Sequence, residues 1–252
     1  MKINKFKKVG TNKYKIYFDN EILTVYEDVI LKYNLLYKKE IDNDLLHEIN
    51  KDNFKASIYD TAVKYISIRM RSVKELREYL TKKKFEHKNI DEVIDRLLHE
   101  NILNDSNFAR CYVNDKLLLT NNGPDKIKSD LMKLGISDDI ISNVISNIDN
   151  DIVNEKLEKI IKKEIKNNTK LPLNKMKNKI INRCINAGYK YDSIIEVLNS
   201  NTLRSKSNIE DEYNKLYSKY RLKYEDYKLK QFLRGKLYQK GYSIEEINSI
   251  ID

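Results

Sequence analysis

Four times along this chain an aliphatic segment runs into a small or basic residue and one bulky apolar residue, after which apolar residues return five, eight and nine positions later. The bulky anchors are Phe85, Ile136, Tyr189 and Tyr242. Nine and five positions before them stand Leu76/Leu80, Ile127/Leu131, Ile180/Cys184 and Leu233/Leu237. After them come Ile90/Val93/Ile94, Ile141/Val144/Ile145, Ile194/Val197/Leu198 and Ile247/Ile250/Ile251. A period of about fifty residues is the mark of stacked units rather than one compact core. A further helix is expected ahead of each pair, over 57–70, 108–119, 153–165 and 213–224, so the unit is a three-helix bundle repeated four times.

The punctuation supports this division. Gly135, Gly188 and Gly241 stand immediately before the last three anchors. Glycine there supplies the left-handed residue that ends a helix and lets the next apolar side chain fold back. Lys84 takes that place in the first repeat and should end its helix less sharply. Ser72 with Glu75 and Ser243 with Glu246 have capping-box spacing, and Asn89 with Glu92 resembles it. Gly123-Pro124 provides a cap and a first-turn proline. Pro172 lies well before Ile180, which gives the third repeat a longer or shifted middle helix.

The first fifty-odd residues are different in kind. Tyr14 to Phe18 and Ile22 to Val25 are β-branched and aromatic, with Asp19-Asn20 as turn residues, and Ile3 to Val9 can join them in a small antiparallel sheet. Short helices are expected over 27–35 and 44–49. The fold class is therefore mainly α: about four tandem three-helix-bundle repeats in a curved array, with a small N-terminal β-hairpin or sheet module. The expected division is 1–55 for that module and 56–104, 105–150, 151–203 and 204–252 for the repeats.

A net charge of +10 among 252 residues points toward an acidic partner such as nucleic acid. The abundance of Lys, Asn, Ile and Tyr also matches AT-rich codons, so location is more informative than the total. Residues 105–150 carry five cations against seven acids, whereas 151–200 carry eleven against six and 201–252 eleven against eight. A charged fraction of 34%, a mean hydropathy of −0.67 and the polar start Met1-Lys2-Ile3-Asn4-Lys5 predict a cytoplasmic protein with no membrane association. Cys184 replaces a leucine of the other repeats and reads as a buried hydrophobe. His47, His87 and His99 have no zinc-site spacing, so no metal and no cofactor are expected.

Three runs carry a resemblance. They are Arg71-Ser72-x-x-Glu75-Leu76-x-x-x-Leu80, Asp105-x-x-Phe108-Ala109-x-x-Tyr112-Val113, and Gly123-Pro124-x-x-Ile127-x-x-x-Leu131-x-x-x-Gly135-Ile136. In order and spacing they resemble successive motifs of the RecX family of bacterial recombination regulators. Tyr14-x-Ile16-Tyr17-x-Asp19 followed by Glu27-Asp28-Val29-Ile30 resembles the sheet-bearing extension of longer members. The resemblance implies a monomer that binds the RecA filament on single-stranded DNA, lies along its groove, and suppresses ATP hydrolysis, strand exchange and coprotease activity. It implies direct DNA binding as well, to single strands and, as a wider option, to duplex. DNA repair, homologous recombination and the SOS response are the processes implied, and no catalytic residue is carried over.

The candidate filament or DNA contacts are cations. Arg69, Arg71, Lys74 and Arg77 lead into and along one helix, with Lys74, Arg77 and Lys84 spaced to share a face. A basic residue stands eight positions before three anchors, at Arg77, Lys128 and Arg234, and three positions before two of them, at Lys82 and Lys133. Lys126, Lys175, Lys179, Arg183 and Lys230 complete the set, and Lys177 belongs to the third-repeat cluster. Cations near helix ends also complement the macrodipole, which is the plainer reading of Lys82 to Lys84. Tyr213, Tyr217, Tyr220, Tyr224 and Tyr227 could stack on bases, but their three- and four-residue intervals suit a core stripe. The pairs Asp91-Glu92, Asp138-Asp139 and Glu245-Glu246 are expected in first helical turns, where carboxylates suit the dipole, and no phosphate loop or nucleophile elbow is present. Catalysis is not expected. The rival reading is a tandem helix-turn-helix-like protein acting on duplex DNA directly; a third is a helical adaptor for another protein.

Overall fold

In the computed structural model, residues 1–19, 21–203 and 205–251 are described. They divide into two compact units, one of 1–109 with 134–136, the other of 110–133 with 137–252.

The first unit opens on a three-stranded antiparallel sheet of order β1 (Ile3–Lys8), β2 (Lys13–Phe18), β3 (Ile22–Tyr26). Phe6 pairs with Ile16 and Ile16 with Leu23, which fixes one apolar face. Asn20, read as a turn residue, lies outside the described residues; Phe18 N–H donates to the Glu21 carbonyl at 2.9 Å across that turn. The sheet buries Ile16, Phe18 and Val25 against Val29 and Ile30 of α1 (Glu27–Lys32) and Ile49 of α2 (Asn43–Ile68). The first helix stops short of the expected residue 35 because Asn34 turns left-handed, φ 51, and a 3₁₀ turn, Leu35–Tyr37, follows.

Two separate helices were expected over 44–49 and 57–70; the structure has one, α2. Its intervening polar residues are held by the sheet module. Asn53 accepts from Tyr26 N–H at 3.0 Å and donates to the Thr24 carbonyl at 2.8 Å. Asp52 accepts from Lys32 Nζ at 2.5 Å and the Tyr33 hydroxyl at 2.8 Å. Downstream, Ile58 and Ala62 enter the core of the first repeat with Leu76 and Leu80 of α3 (Val73–Lys82) and Ile90, Val93, Ile94 and Leu97 of α4 (His87–His99). Full burial of each such aliphatic side chain contributes about 1.5–3 kcal/mol, so the repeat is held chiefly by the positions that recur.

The second unit holds most of α5 (Asp105–Leu119), then α6 (Pro124–Lys133), α7 (Asp138–Ser146), α8 (Asn150–Asn167), α9 (Leu173–Asn186), α10 (Tyr191–Ser200), α11 (Ile209–Tyr220), α12 (Asp226–Lys240) and α13 (Ile244–Ile251). Ile127, Leu131, Ile141 and Val144 are buried in the second repeat. Leu157, Ile161, Ile180, Cys184, Tyr189, Ile194 and Leu198 form the third core, and Leu233, Leu237, Tyr242, Ile247 and Ile251 the fourth. The middle helix of the third repeat has 14 residues against 10 in the first two, as Pro172 suggested.

Gly135, Gly188 and Gly241 are left-handed, at φ 80, 86 and 98. Lys84 departs from expectation. It takes the same conformation at φ 65, and Phe85 N–H reaches back to the Leu80 carbonyl as Tyr189 N–H does to Cys184. The first repeat therefore ends its helix as sharply as the others, because the fold-back of the anchor demands the turn whatever residue occupies it.

The glycines have a second task. Within the first unit, the Ser72 hydroxyl at the start of α3 donates to the Leu134 carbonyl at 2.8 Å, and a Cβ on Gly135 would meet the Lys74 side chain at 2.7 Å. Within the second unit, Gly123 and Asp125 N–H donate to the Ala187 and Gly188 carbonyls at 2.7 and 3.1 Å. A Cβ on Gly241 would stand 2.6 Å from that of Lys175 near the start of α9. Helix N-termini leave N–H groups unpaired and carry partial positive charge. Here the glycine turn of the next repeat sits against the start of a middle helix three times over, and in the first two joints its carbonyls serve as acceptors.

Both capping boxes are present. Ser72 and Glu75 exchange bonds, and Ser243 and Glu246 do so at 2.7 and 3.1 Å. Asn89 is not a cap: α4 starts at His87, two residues after the fold-back, so Asn89 lies inside it. For the same reason Asp91-Glu92 falls beyond the first turn, and these acids pair with Arg77 and Lys55 instead. Asp138-Asp139 and Glu245-Glu246 do occupy first turns.

Candidate interaction surface

The cations of the first repeat separate into those bound within the fold and those presented outward. Arg71 is largely buried: its guanidinium lies 4.1 Å from the Tyr65 ring centre, that ring stacks on Tyr79 at 3.8 Å, and Glu75 is 3.6 Å away. Its Nε has no hydrogen-bond partner among the described residues. Arg69 is bound to Glu75 at 2.5 Å, and Arg77 to Asp91. Lys74 is exposed and packs its stem on Gly135. Lys82 and Lys84 are exposed, but Lys84 sits in the left-handed turn beyond α3, so helical spacing puts only Lys74 and Arg77 on one helix face.

In the second repeat Lys126 and Lys133 flank Asp130 at 3.5 and 3.9 Å. Lys128 is exposed at the edge of a cleft of about 520 Å³ that Tyr189, Lys190 and Val153 also line. In the third repeat Lys175 borders a polar depression with Lys170, Lys215 and Lys240, and Lys177 is exposed. Lys179 and Arg183 serve a buried polar group: Arg183 lies 3.3 Å from Glu164, Glu164 accepts from Asn168 at 3.2 Å, and Lys179 donates to Asn168 at 2.8 Å. In the fourth, Lys230 and Arg234 are exposed on α12.

The tyrosine series is not one core stripe. Tyr213 and Tyr220 pack on the fourth core, whereas Tyr217 and Tyr224 are 38% and 39% exposed and Tyr227 is 73% exposed. For Tyr224 and Tyr227 the reason is that α11 ends at Tyr220, which breaks the helical register before them.

Helix α8 adds cations outside the expected set: Lys156, Lys159 and Lys163 with Arg183 line a depression of about 190 Å³. Spacing of three and four in a lysine-rich helix was the available signal. Lys156 is partly structural: its ammonium donates to the Lys116 and Leu117 carbonyls near the end of α5, and burial lowers its pKa. Among the described residues no three His, Cys, Asp or Glu side chains cluster to hold a metal ion, and no helix is long and apolar enough to cross a membrane.

Mainly helical, with a small N-terminal sheet followed in sequence by repeated three-helix units, the chain is a helical-repeat protein. Two family models match it: RecX, first three-helix domain, over residues 59–97, and RecX, second three-helix domain, over 104–145. The regulatory protein RecX of Streptococcus uberis is 32% identical over 260 residues, covering 100% of this chain and 98% of that protein. The chain spans about half, 52%, of the RecX regulatory protein of Leuconostoc mesenteroides, at 32% identity over 56% of its own length. A crystal structure of a regulatory protein RecX superposes with a TM-score of 0.69 at 20% identity, covering 79% of this chain and 98% of that one, a likeness of fold. RecX from Lactobacillus salivarius gives 0.55 at 26% identity, covering 58% and 95%. The chain belongs to the RecX family of regulatory proteins.

Proposed function

We propose that this chain is a cytoplasmic, monomeric regulator of the RecA recombinase that binds the RecA filament on single-stranded DNA and damps its ATP hydrolysis, strand exchange and coprotease activity. The observation that carries this reading is a cation at one equivalent position of three middle helices, Lys128 and Arg234 exposed and Arg77 half-exposed beside Asp91, in a family of regulators. Contacts repeated by module suit a partner that is itself periodic, because several weak contacts gain avidity together. The sheet module at 1–55 and the repeats at 56–104, 105–150, 151–203 and 204–252 serve as the units of contact. Lys74, Lys82, Lys84, Lys128, Lys175, Lys230 and Arg234 are the outward-facing contributors; Arg71, Lys179 and Arg183 act mainly through the fold. An acidic second repeat argues against four equivalent duplex-reading modules.

The test is single-strand-dependent ATP hydrolysis by RecA with and without sub-stoichiometric amounts of the protein. Inhibition is expected, and it should weaken when Lys82, Lys84 and Lys128 are reversed to glutamate, exposed positions whose loss leaves helicity intact. Unchanged hydrolysis together with tight binding of duplex DNA would refute the proposal in favour of a tandem helix-turn-helix-like DNA binder.

A further inference from the structure

The exposed face of α12 has a composition that the packing of this chain does not require. Leu229, Leu233 and Leu237 point into the fourth core. On the other side, at intervals of four, three and four, stand Tyr227, Gln231, Arg234 and Tyr238, the spacing that lines residues along one helix face. The two tyrosines are 73% and 62% exposed. The helix rise places their Cα atoms about 16 Å apart. Gln231 Nε2 donates to the Tyr227 hydroxyl at 2.7 Å, which ties that ring to the helix surface. Lys230 flanks the row, and the single acid of α12, Asp226, lies in its first turn, off this face.

Beside the row, one turn before Tyr238, is Gly235. Glycine is, after proline, the least favourable residue in a helix interior. Gly123, Gly135, Gly188 and Gly241 at the helix ends answer to a left-handed backbone or a close neighbour, and Gly10 lies in a strand connection, but a side chain at Gly235, inside a helix, would meet nothing within 4 Å among the described residues. Among the described residues no contact accounts for it. A missing Cβ at the border of a row with two exposed aromatic rings lets a flat or bulky group come down onto the helix backbone.

We infer that this face of α12 is a docking platform for single-stranded nucleic acid: Tyr227 and Tyr238 stack on unpaired bases, Lys230 and Arg234 meet the phosphates, and Gly235 admits the strand beside them. Stacking on exposed aromatics beside cations is how single strands are held without sequence preference. An acidic protein segment would use the cations but has no need of two open ring faces. The inference deepens the function proposed above and rests on it for the partner's identity, while its test does not need the recombinase.

The full-length chain is titrated with a fluorescently labelled thymidine oligonucleotide over a series of salt concentrations. Tyr227→Ala with Tyr238→Ala should weaken binding by about tenfold or more, whereas Tyr227→Phe with Tyr238→Phe retains it, since the ring face is what stacks. Lys230→Gln with Arg234→Gln should reduce the salt slope by about 0.7 per lost contact. Gly235→Leu should weaken binding, while Gly235→Ala raises the thermal midpoint. Photo-crosslinking of wild-type protein to an iodouridine oligonucleotide, read by mass spectrometry, should label Tyr227 or Tyr238 and guards against loss through misfolding. Undiminished strand binding by the double alanine variant, or crosslinks only elsewhere, overturns the inference. So does a variant that keeps strand binding but loses affinity for RecA protein, since the face then docks protein. If the strand binds through these tyrosines but RecA hydrolysis never responds, the proposed function fails and this platform stands.

Discussion

Replacing Gly188 by alanine should be among the costliest single-methyl changes in this chain. Two effects add. The backbone at φ 86 is left-handed, which costs an L-residue about 1–2 kcal/mol. The new Cβ would also overlap the backbone nitrogen of Lys126 and stand 2.5 and 2.8 Å from its Cβ and Cα. Helix α6 cannot yield there as a flexible side chain could. Relief means backing its first turn away from the glycine turn, which stretches the bonds from Gly123 and Asp125 N–H to the Ala187 and Gly188 carbonyls, each contributing about 0.5–1.5 kcal/mol. The expected loss is about 2–5 kcal/mol, a large share of the stability of a typical domain. Urea denaturation followed by circular dichroism measures the loss, and amide exchange at Gly123 and Asp125 localises it. Gly135→Ala, whose new methyl meets only the Lys74 side chain, should cost less. A loss at Gly188 of no more than about 1 kcal/mol, the lower end of the conformational penalty alone, would refute the account of the joint, as would unchanged exchange at those two amides.

The other expectations are simpler. Lys84→Gly relieves the same strain where the side chain is exposed and should stabilise by about 0.5 kcal/mol after allowing for the looser unfolded chain, read as a higher thermal midpoint. Ser72→Ala removes a helix cap and leaves the Leu134 carbonyl without its donor, so a loss of about 1–3 kcal/mol is expected in the same melt. Burial raises the Asp105 carboxyl above its usual 3.8, although Val73 N–H donates to it. Its contribution to stability is therefore complete below 3.8 and lost as pH rises from there through the raised value, and Asp105→Asn should flatten that part of the stability profile. Burial pushes the Cys184 thiol up to about 11, so in the native protein an alkylating reagent should modify the exposed Cys111 alone, with Cys184 reacting only on unfolding.

The repeat was legible because its positions answer to local rules: apolar residues at helical intervals, a left-handed residue before each anchor, a serine with glutamate three residues on. What lay hidden depends on partners distant in sequence. Asn50 to Lys55 has the polar composition of a connector, and nothing in it announces that Asn53 bonds to Thr24 and Tyr26 and so keeps α2 continuous. The candidate surface was legible as a set of cations but not as a sorted one. Arg71 and Arg183 look like Lys82 in the sequence, yet one stacks on Tyr65 and the other meets a carboxylate buried among apolar side chains. The interval from Tyr224 to Tyr227 suits a core stripe in the sequence, but it has no meaning once α11 has ended.

Helix α2 carries a mechanical consequence. Its 26 residues span about 39 Å without a break, with Ile49 seated in the sheet core and Ile58 and Ala62 in the core of the first repeat. A pull on the sheet is thus delivered straight into the repeat through a stiff rod rather than taken up by a slack tether. The two cores share a fate, and a protease that nicks the helix near its midpoint severs a strut common to both.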